Sequence, residues 1–196
     1  MPRLTKQATR AKIRDAVVAE ATEKGISATS VGGVVQRANI SAGTIYVHFD
    51  NKEDMLQKIY LEIKSEFHEL MMHAAKQTDD SQMIREMWFS LFQSVSAHPK
   101  DFLFVEYAGA AKILTEEQGK QVLQMEQEIR GLLERAKASG CVADLPTSVI
   151  SVLLIAPAMQ LARSAVLKDT PVPQETVELT FDRVWLSISG NTAPTP

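Results

Sequence analysis

The stretch Ala38-Asn39-Ile40-Ser41-Ala42-Gly43-Thr44-Ile45-Tyr46-Val47-His48-Phe49 decides how this chain folds, because two short helical periods meet in it at a tight turn. Upstream, Val31, Val34, Val35 and Ala38 share one helical face, and Asn39 tolerates the left-handed backbone that stops such a helix. Thr29 or Ser30 can cap its start. Downstream, Ser41 can accept hydrogen bonds from the free N–H groups of a second helix, in which Ile45 and Phe49 (i, i+4) point inward. The spacing predicts a helix-turn-helix, a shape that sets its second helix into the major groove of a duplex while the first crosses the backbone. A purely structural pair of helices has the same spacing.

The residue types on the second helix suit a polyanion. Gly43 removes a side chain where backbone approaches a duplex, and Thr44, Tyr46 and His48 bring hydroxyl and imidazole groups suited to phosphate oxygens. Lys52 stands at a helix start, where a cation opposes the helix dipole by a few tenths of a kcal/mol and an anion nearby would relieve it.

Working outward, Ile13, Ala16, Val17 and Ala21 give a first helix that Gly25 stops. Asn51 caps a long helix with Met55, Ile59, Ile63, Phe67, Leu70 and Met71 on one stripe, reaching about His73. Met83, Met87, Leu91 and Val95, flanked by Trp88 and Phe92, stop before Pro99, and a short aromatic segment, Asp101 to Ala108, follows. Thr115 with Gln118 makes a capping box ahead of Val122, Met125, Ile129, Leu132, Leu133 and Ala136. Pro146 or its successor opens the most apolar helix, and Val177, Phe181, Val184, Trp185 and Ile188 mark the last. Strand signals are nearly absent, so the chain reads as all-α with about nine helices. The expected division is 1–51 as a three-helix helix-turn-helix domain, 52–190 as a helical body for an effector and for dimerisation, and 191–196 as a disordered tail.

Composition narrows the classes. With 196 residues, 45% of them hydrophobic, the chain buries a real core and is no low-complexity tail. Cys141 is the single cysteine, which excludes an internal disulfide or a cysteine-based zinc cluster. The start, basic but without an apolar core, is no secretory signal, so the expected location is cytoplasmic. The apolar run Val149 to Met159 is shorter than the roughly 18 residues of a membrane span, and its helix reads as buried with no membrane partner. The net charge is −3 overall, yet residues 1–52 hold eight Lys/Arg (3, 6, 10, 12, 14, 24, 37, 52) against four Asp/Glu (15, 20, 23, 50), a net +4 that leaves −7 on the rest. A basic head on an acidic body fits a protein whose head alone meets a polyanion.

The run Thr29-Ser30-Val31, then Ala38 to Phe49, then Asn51-Lys52-Glu53-Asp54-Met55-Leu56 resembles the N-terminal DNA-binding domain of TetR-family transcriptional regulators, with Ser-x-Gly-Thr-Ile-Tyr-x-His-Phe-x-x-Lys-Glu at its core. The motif covers residues of roughly 8 to 60, and the rest matches by helical layout. The resemblance implies a dimeric, ligand-responsive repressor that binds a palindromic double-stranded operator. It implies DNA contacts from Thr29, Ser41, Ala42, Gly43, Thr44, Tyr46, Val47, His48 and Lys52. Thr29, Tyr46, His48 and Lys52 would hold phosphates, and Ala42, Thr44 and Val47 would read bases, the apolar pair suiting thymine methyls. Ala42 stands where the family often has lysine, which removes about one unit of log-log salt slope. Asn39 stands where a turn glycine is usual. Each glycine of Gly32-Gly33 inside a helix costs about 0.5–1 kcal/mol relative to alanine, which fits a helix that is loose until DNA is bound, or glycines that permit close packing or phosphate approach.

The body offers a pool for a small apolar or amphipathic effector: Trp88, Phe89, Phe92, Phe102, Phe104, Tyr107, Met125 and Met159. Core packing produces the same stripes. The last two helices carry more apolar surface than a small body needs, so Val149, Val152, Leu153, Ala156, Leu161, Val177, Phe181, Trp185 and Ile188 are the expected homodimer interface. Catalysis finds no support: there is no HExxH, P-loop, GxGxxG or GxSxG, and no metal or cofactor is expected. Cys141 reads as a bystander thiol, with oxidant sensing the alternative. A DNA-binding protein of the same fold, lacking an effector and acting structurally on DNA, is the alternative function.

Overall fold

The computed structural model describes residues 6–189, so the expectations for Arg3 and for the 191–196 tail lie outside the described residues. Among the described residues are nine helices and no strand: α1 (Lys6–Lys24), α2 (Val31–Ala38), α3 (Ala42–Tyr46), α4 (Lys52–Ala74), α5 (Asp80–Ala97), α6 (Pro99–Ala110), α7 (Glu116–Ala138), α8 (Thr147–Lys168) and α9 (Gln174–Ile188). Two compact units result, Met1–Lys64 with Lys100–Lys120, and Ser65–Pro99 with Gln121–Pro196. The division differs from a boundary at residues 51 and 52, because α4 starts at Lys52 and its first half buries Met55, Leu56, Ile59 and Ile63 with the head.

In the first unit, Ile13, Val17 and Ala21 of α1, Val34 and Ala38 of α2, and Ile45 and Phe49 around α3 are buried. Asn39 takes φ 50°, ψ 54°, the left-handed conformation expected of it, and the Ile40 N–H then donates to Val35 O at 3.3 Å. Ser30, not Thr29, caps α2, accepting from the Gly33 N–H at 3.1 Å. Ser41 caps α3, accepting from the Thr44 N–H at 3.2 Å. The capping box holds in both directions, Thr115 N–H to Gln118 Oε1 at 3.0 Å and Gln118 N–H to Thr115 Oγ1 at 3.3 Å. The α6 helix joins this unit through charge: Arg14 Nη2 donates to Asp101 Oδ2 at 2.7 Å and Nη1 to Glu62 Oε1 at 3.4 Å, and Lys100 Nζ lies 3.8 Å from Glu23 Oε1.

A buried acid explains one of the two α2 glycines. Glu20 is 1% exposed; it accepts from Lys24 Nζ at 2.7 Å and Arg37 Nε at 2.6 Å, and Arg37 also binds Glu23. A Cβ on Gly33 would overlap the Glu20 carboxylate, whereas a Cβ on Gly32 would meet nothing within 4 Å. Close packing is therefore the reason for Gly33. Nothing in the structure explains Gly32.

In the second unit α8 packs on α9 and α5. Asp79 caps α5, and Arg135 bonds Asp80 Oδ1 at 2.8 Å and the Ala75 and Gln77 carbonyls at 3.1 Å each, tying α7 to the α4–α5 turn. The expectation that the most apolar helix is buried needs correction: Val149, Val152, Ile155 and Leu167 of α8 are exposed, because only the face with Ile150, Leu154, Ala158 and Ala162 packs inward. By length and composition alone α8 is long and apolar enough to cross a membrane.

Gly32→Ala is expected to stabilise the chain by about 0.5–1 kcal/mol and Gly33→Ala to destabilise it by about 1–3 kcal/mol, measured by urea unfolding. Hydrogen bonds from Lys24 and then Arg37 hold the Glu20 carboxyl below its usual 4.5. Its contribution is thus present above pH 4.5 and lost as the pH falls through the lower folded value, and Glu20→Gln removes that part of the acid sensitivity.

Candidate nucleic-acid interface

The α3 helix has five residues, too few to stand alone, and its outward side is fixed by what it buries. Ile45 and Phe49 are each 1% exposed, while Tyr46 and Val47 between them are 56% and 72% exposed. Ser41, Ala42 and Gly43 are exposed with them, and Thr44 is half-buried with its hydroxyl 2.9 Å from Ser41 Oγ. A Cβ on Gly43 would meet only Ser41 Oγ at 3.8 Å, an ordinary contact, so no packing within the chain demands glycine there. Expected contacts Ser41, Ala42, Gly43, Thr44, Tyr46 and Val47 therefore come together on one turn of backbone.

The remaining expected contacts fare differently. Lys52 Nζ reaches back to donate to Ser27 O at 2.8 Å, an exposed bond that pins the α1–α2 loop to the start of α4. His48 sits half-buried beside Phe49, ring centroids 6.2 Å apart. Burial first, then the positive charges of Arg10 and Lys6, push its imidazole below the usual value. Thr29 is a correction: it is 1% exposed and its hydroxyl donates to Gly25 O at 2.9 Å, so the side chain turns into the loop and away from solvent. Sequence reasoning missed Arg10, whose guanidinium lies 4.4 Å over the Phe49 ring and donates to Glu62 at 3.0 Å. The signal was the basic start of the chain, weighed as charge rather than by position.

The expected effector pool divides between the units. Trp88, Phe89 and Phe92 belong to the second unit with Met125 and Met159; Phe102, Phe104 and Tyr107 belong to the first, where Phe102 and Phe104 are buried and Tyr107 is exposed. In the second unit Phe181 is the hub of an aromatic cluster, 5.6 Å from Trp88, 5.5 Å from Phe89 and 6.0 Å from Trp185. The Trp88 indole N–H is buried there with no hydrogen-bond partner, and the Arg85 guanidinium covers Phe89 and Phe181 at 4.6 and 5.3 Å.

Phe181 was expected at a homodimer interface, as were Val177 and Ile188, and all three are corrected to core positions, because the α5 and α8 side chains cover that face of α9. Val149, Val152 and Ala156 are exposed, and Leu153, Leu161 and Trp185 are half-buried. Exposed Leu179 and Leu186 of α9 were missed. Cys141 is half-buried, and burial followed by the charges of Asp80 and Asp79 raises its thiol. His68 Nε2 lies 2.8 Å from Glu128 and His73 Nδ1 3.0 Å from Glu86; among the described residues no three acids, histidines or cysteines gather around a common point.

Two family models match the chain. One describes bacterial regulatory proteins of the tetR family and matches residues 13–59; the other describes a tetracyclin repressor-like C-terminal domain and matches residues 81–189. The chain is 24% identical over 172 residues to an uncharacterized HTH-type transcriptional regulator of Haemophilus influenzae, covering 84% of this chain and 87% of that one. It is also 24% identical over 155 residues to the probable acrEF/envCD operon repressor of Escherichia coli K12, covering 74% and 70%. A crystal structure of a TetR family transcription regulator from Marinobacter aquaeolei VT8 superposes with TM-score 0.82 at 21% identity, covering 93% of this chain and 96% of that one.

Thr29→Val removes the hydroxyl donor to Gly25 O and is expected to cost about 1 kcal/mol in urea unfolding, with Thr29→Ser close to the parent. Neither substitution changes the salt slope of duplex binding; a slope that drops with Thr29→Val would return this side chain to a phosphate.

Proposed function

We propose that this chain, which belongs to the TetR family and is a DNA-binding transcriptional regulator, works as a homodimeric repressor that a small molecule releases from a palindromic operator. The observation that carries the DNA side is the pairing of 1% exposed Ile45 and Phe49 with 56% exposed Tyr46 and 72% exposed Val47 on one short helix. The two buried anchors turn Tyr46 and Val47 together toward solvent, on the side from which a duplex would approach. Ala42 and Val47 suit thymine methyls, and Tyr46, His48 and Lys52 suit phosphates. Gly43 lets the backbone come close.

Dimerisation is supported by the exposed α8 stripe of Val149, Val152 and Ala156, with Leu179 and Leu186 on α9. An isologous pairing of these helices would bury that surface and present two α3 helices to half-sites about 34–36 Å apart. Repression follows the printed name of the Escherichia coli relative. The aromatic cluster around Phe181, with its unpartnered indole N–H, supports an apolar or amphipathic effector bearing a hydrogen-bond acceptor. The site of action is the cytoplasm, where the operator is.

Fluorescence anisotropy with duplex from upstream of the chain's own gene tests the reading. Two subunits per site and a preference of about 10³ or more over unrelated duplex are expected. Equal, weak binding to both duplexes would favour a binder without a specific operator. Val152→Arg places a charge in the paired stripe and is expected to shift the chain to monomer in sedimentation, with operator affinity falling at least tenfold and the helical signal unchanged.

A further inference from the structure

We infer that the effector of this chain is an organic anion: Arg85 of α5 holds its carboxylate, its apolar body lies on the rings of Phe89, Phe181 and Trp185, and the Trp88 indole N–H is the inner hydrogen-bond donor. The inference rests on the effector reading of the aromatic cluster and adds to it a cation and a ligand class.

The parts are neighbours within the second unit. Arg85, Trp88 and Phe89 stand at i, i+3 and i+4 on α5 and share a face, and Phe181 and Trp185 stand at i and i+4 on α9. Phe181 joins the two helices. The Arg85 guanidinium lies 5.3 Å from its ring centroid and 4.6 Å from that of Phe89. The Trp88 and Phe89 rings lie 5.6 and 5.5 Å from the Phe181 ring, and Trp185 stacks on it at 6.0 Å with the two planes 22° apart. Every group that would meet the ligand is thus one contact away from Phe181.

Charge selects the ligand first. Arg85 is exposed and has no acid partner among the described residues. Glu86, next to it in the chain, is turned to His73 at 3.0 Å and Gln77 at 2.7 Å, and Glu178, one turn before Phe181, accepts from Gln174 at 2.9 Å. Lying on two rings restricts the guanidinium without using its N–H groups, so its fork is pre-set for a planar carboxylate. A cationic ligand is disfavoured twice, because Arg85 repels it and already covers ring faces that would attract it. Apolar surface comes second: Phe89 and Trp185 are only half-buried, while Trp88 and Phe181 behind them are buried, which leaves ring surface open beside the cation. The third feature is the Trp88 N–H, in a side chain 3% exposed and without an acceptor among the described residues. Burying such a donor unpaired is costly, and an acceptor on a ligand relieves that cost.

The chain has two tryptophans, Trp88 and Trp185, and both lie in the cluster, so their indole N–H resonances report on it directly. The experiment titrates the full chain at neutral pH, by NMR, with naphthoate, with neutral naphthamide, which keeps the rings and an acceptor, and with acetate, which keeps only the carboxylate. Naphthoate is expected to move the Trp88 N–H resonance downfield and to bind at least about tenfold more tightly than either of the others. Arg85→Gln is expected to bring naphthoate down to the affinity of naphthamide, whereas Arg183→Gln, which removes an exposed cation of α9, keeps the preference. Both variants change exposed side chains and are expected to keep the helical signal. Equal affinity for naphthoate and naphthamide overturns the anion while the effector reading stands. A preference that survives Arg85→Gln, or that Arg183→Gln removes as fully, overturns Arg85 as its anchor. Acetate that binds as well as naphthoate, or a Trp88 resonance that naphthoate leaves unmoved, overturns the placement on the rings. If none of the three compounds shifts either indole, the effector reading of this cluster falls with the anion.

Discussion

The burial of Ile45 and Phe49 is the constraint on which the interface depends. A helix of five residues makes too few internal hydrogen bonds to offset its own ordering, so α3 exists because its two anchors are fixed in the core of the first unit. Those anchors also set rotation. With Ile45 and Phe49 inward, helical geometry leaves Tyr46, Val47 and the first turn no direction but outward. The Asn39 turn and the Ser41 cap decide where α3 begins, and therefore which residue each of its positions carries.

Behind α3, an unusual polar arrangement fixes α2. Removing Glu20 from water is costly, and its bonds to Lys24 and Arg37 repay that desolvation only as a set. An apolar side chain would fill the same space at less cost. What the charge supplies is direction: Glu20 joins α1 to α2 through Arg37, Glu23 joins Arg37 to Lys100, and Arg14 joins Glu62 to Asp101. Adjacent residues of opposite sign at the start of α6 thus meet opposite signs on α1, and a shifted register would set like charges together.

Much of this was legible because it is local. The turn at Asn39, the Ser41 cap, the Thr115–Gln118 box and the inward pair Ile45 and Phe49 depend on residues within four positions of one another. What was not legible depends on distant partners. Gly33 makes sense only once the Glu20 carboxylate lies above it, and Thr29 turned out to serve its own loop. Phe181 and Val184 belong to one helical stripe with Trp185, and periodicity has no means to say whether α5 or a second copy covers it; Trp88 and Phe89 do. The joining of α6 to the head spans 87 positions between Arg14 and Asp101.

The excess of positive charge in residues 1–52 also reads differently once partners are known. Arg10 and Arg14 are engaged by Glu62 and Asp101, Lys24 and Arg37 by Glu20 and Glu23, and Lys52 by the Ser27 carbonyl. Glu20 and Glu23 are already counted in the net +4, and a carbonyl cancels no charge, so of these partners only Glu62 and Asp101 lower the excess, by one charge each. Glu62, Glu20 and Glu23 are acids of the same unit, so several of the head's cations are held in ion pairs that join its helices. With Ala42 adding no charge to α3, the proposed interface would add to the remaining cations of the head the short-range contacts of backbone at Gly43 and of the exposed faces of Tyr46 and Val47. Contacts of that kind depend on the shape and sequence of the groove more than on its charge, which favours discrimination among duplexes over indiscriminate adhesion to them.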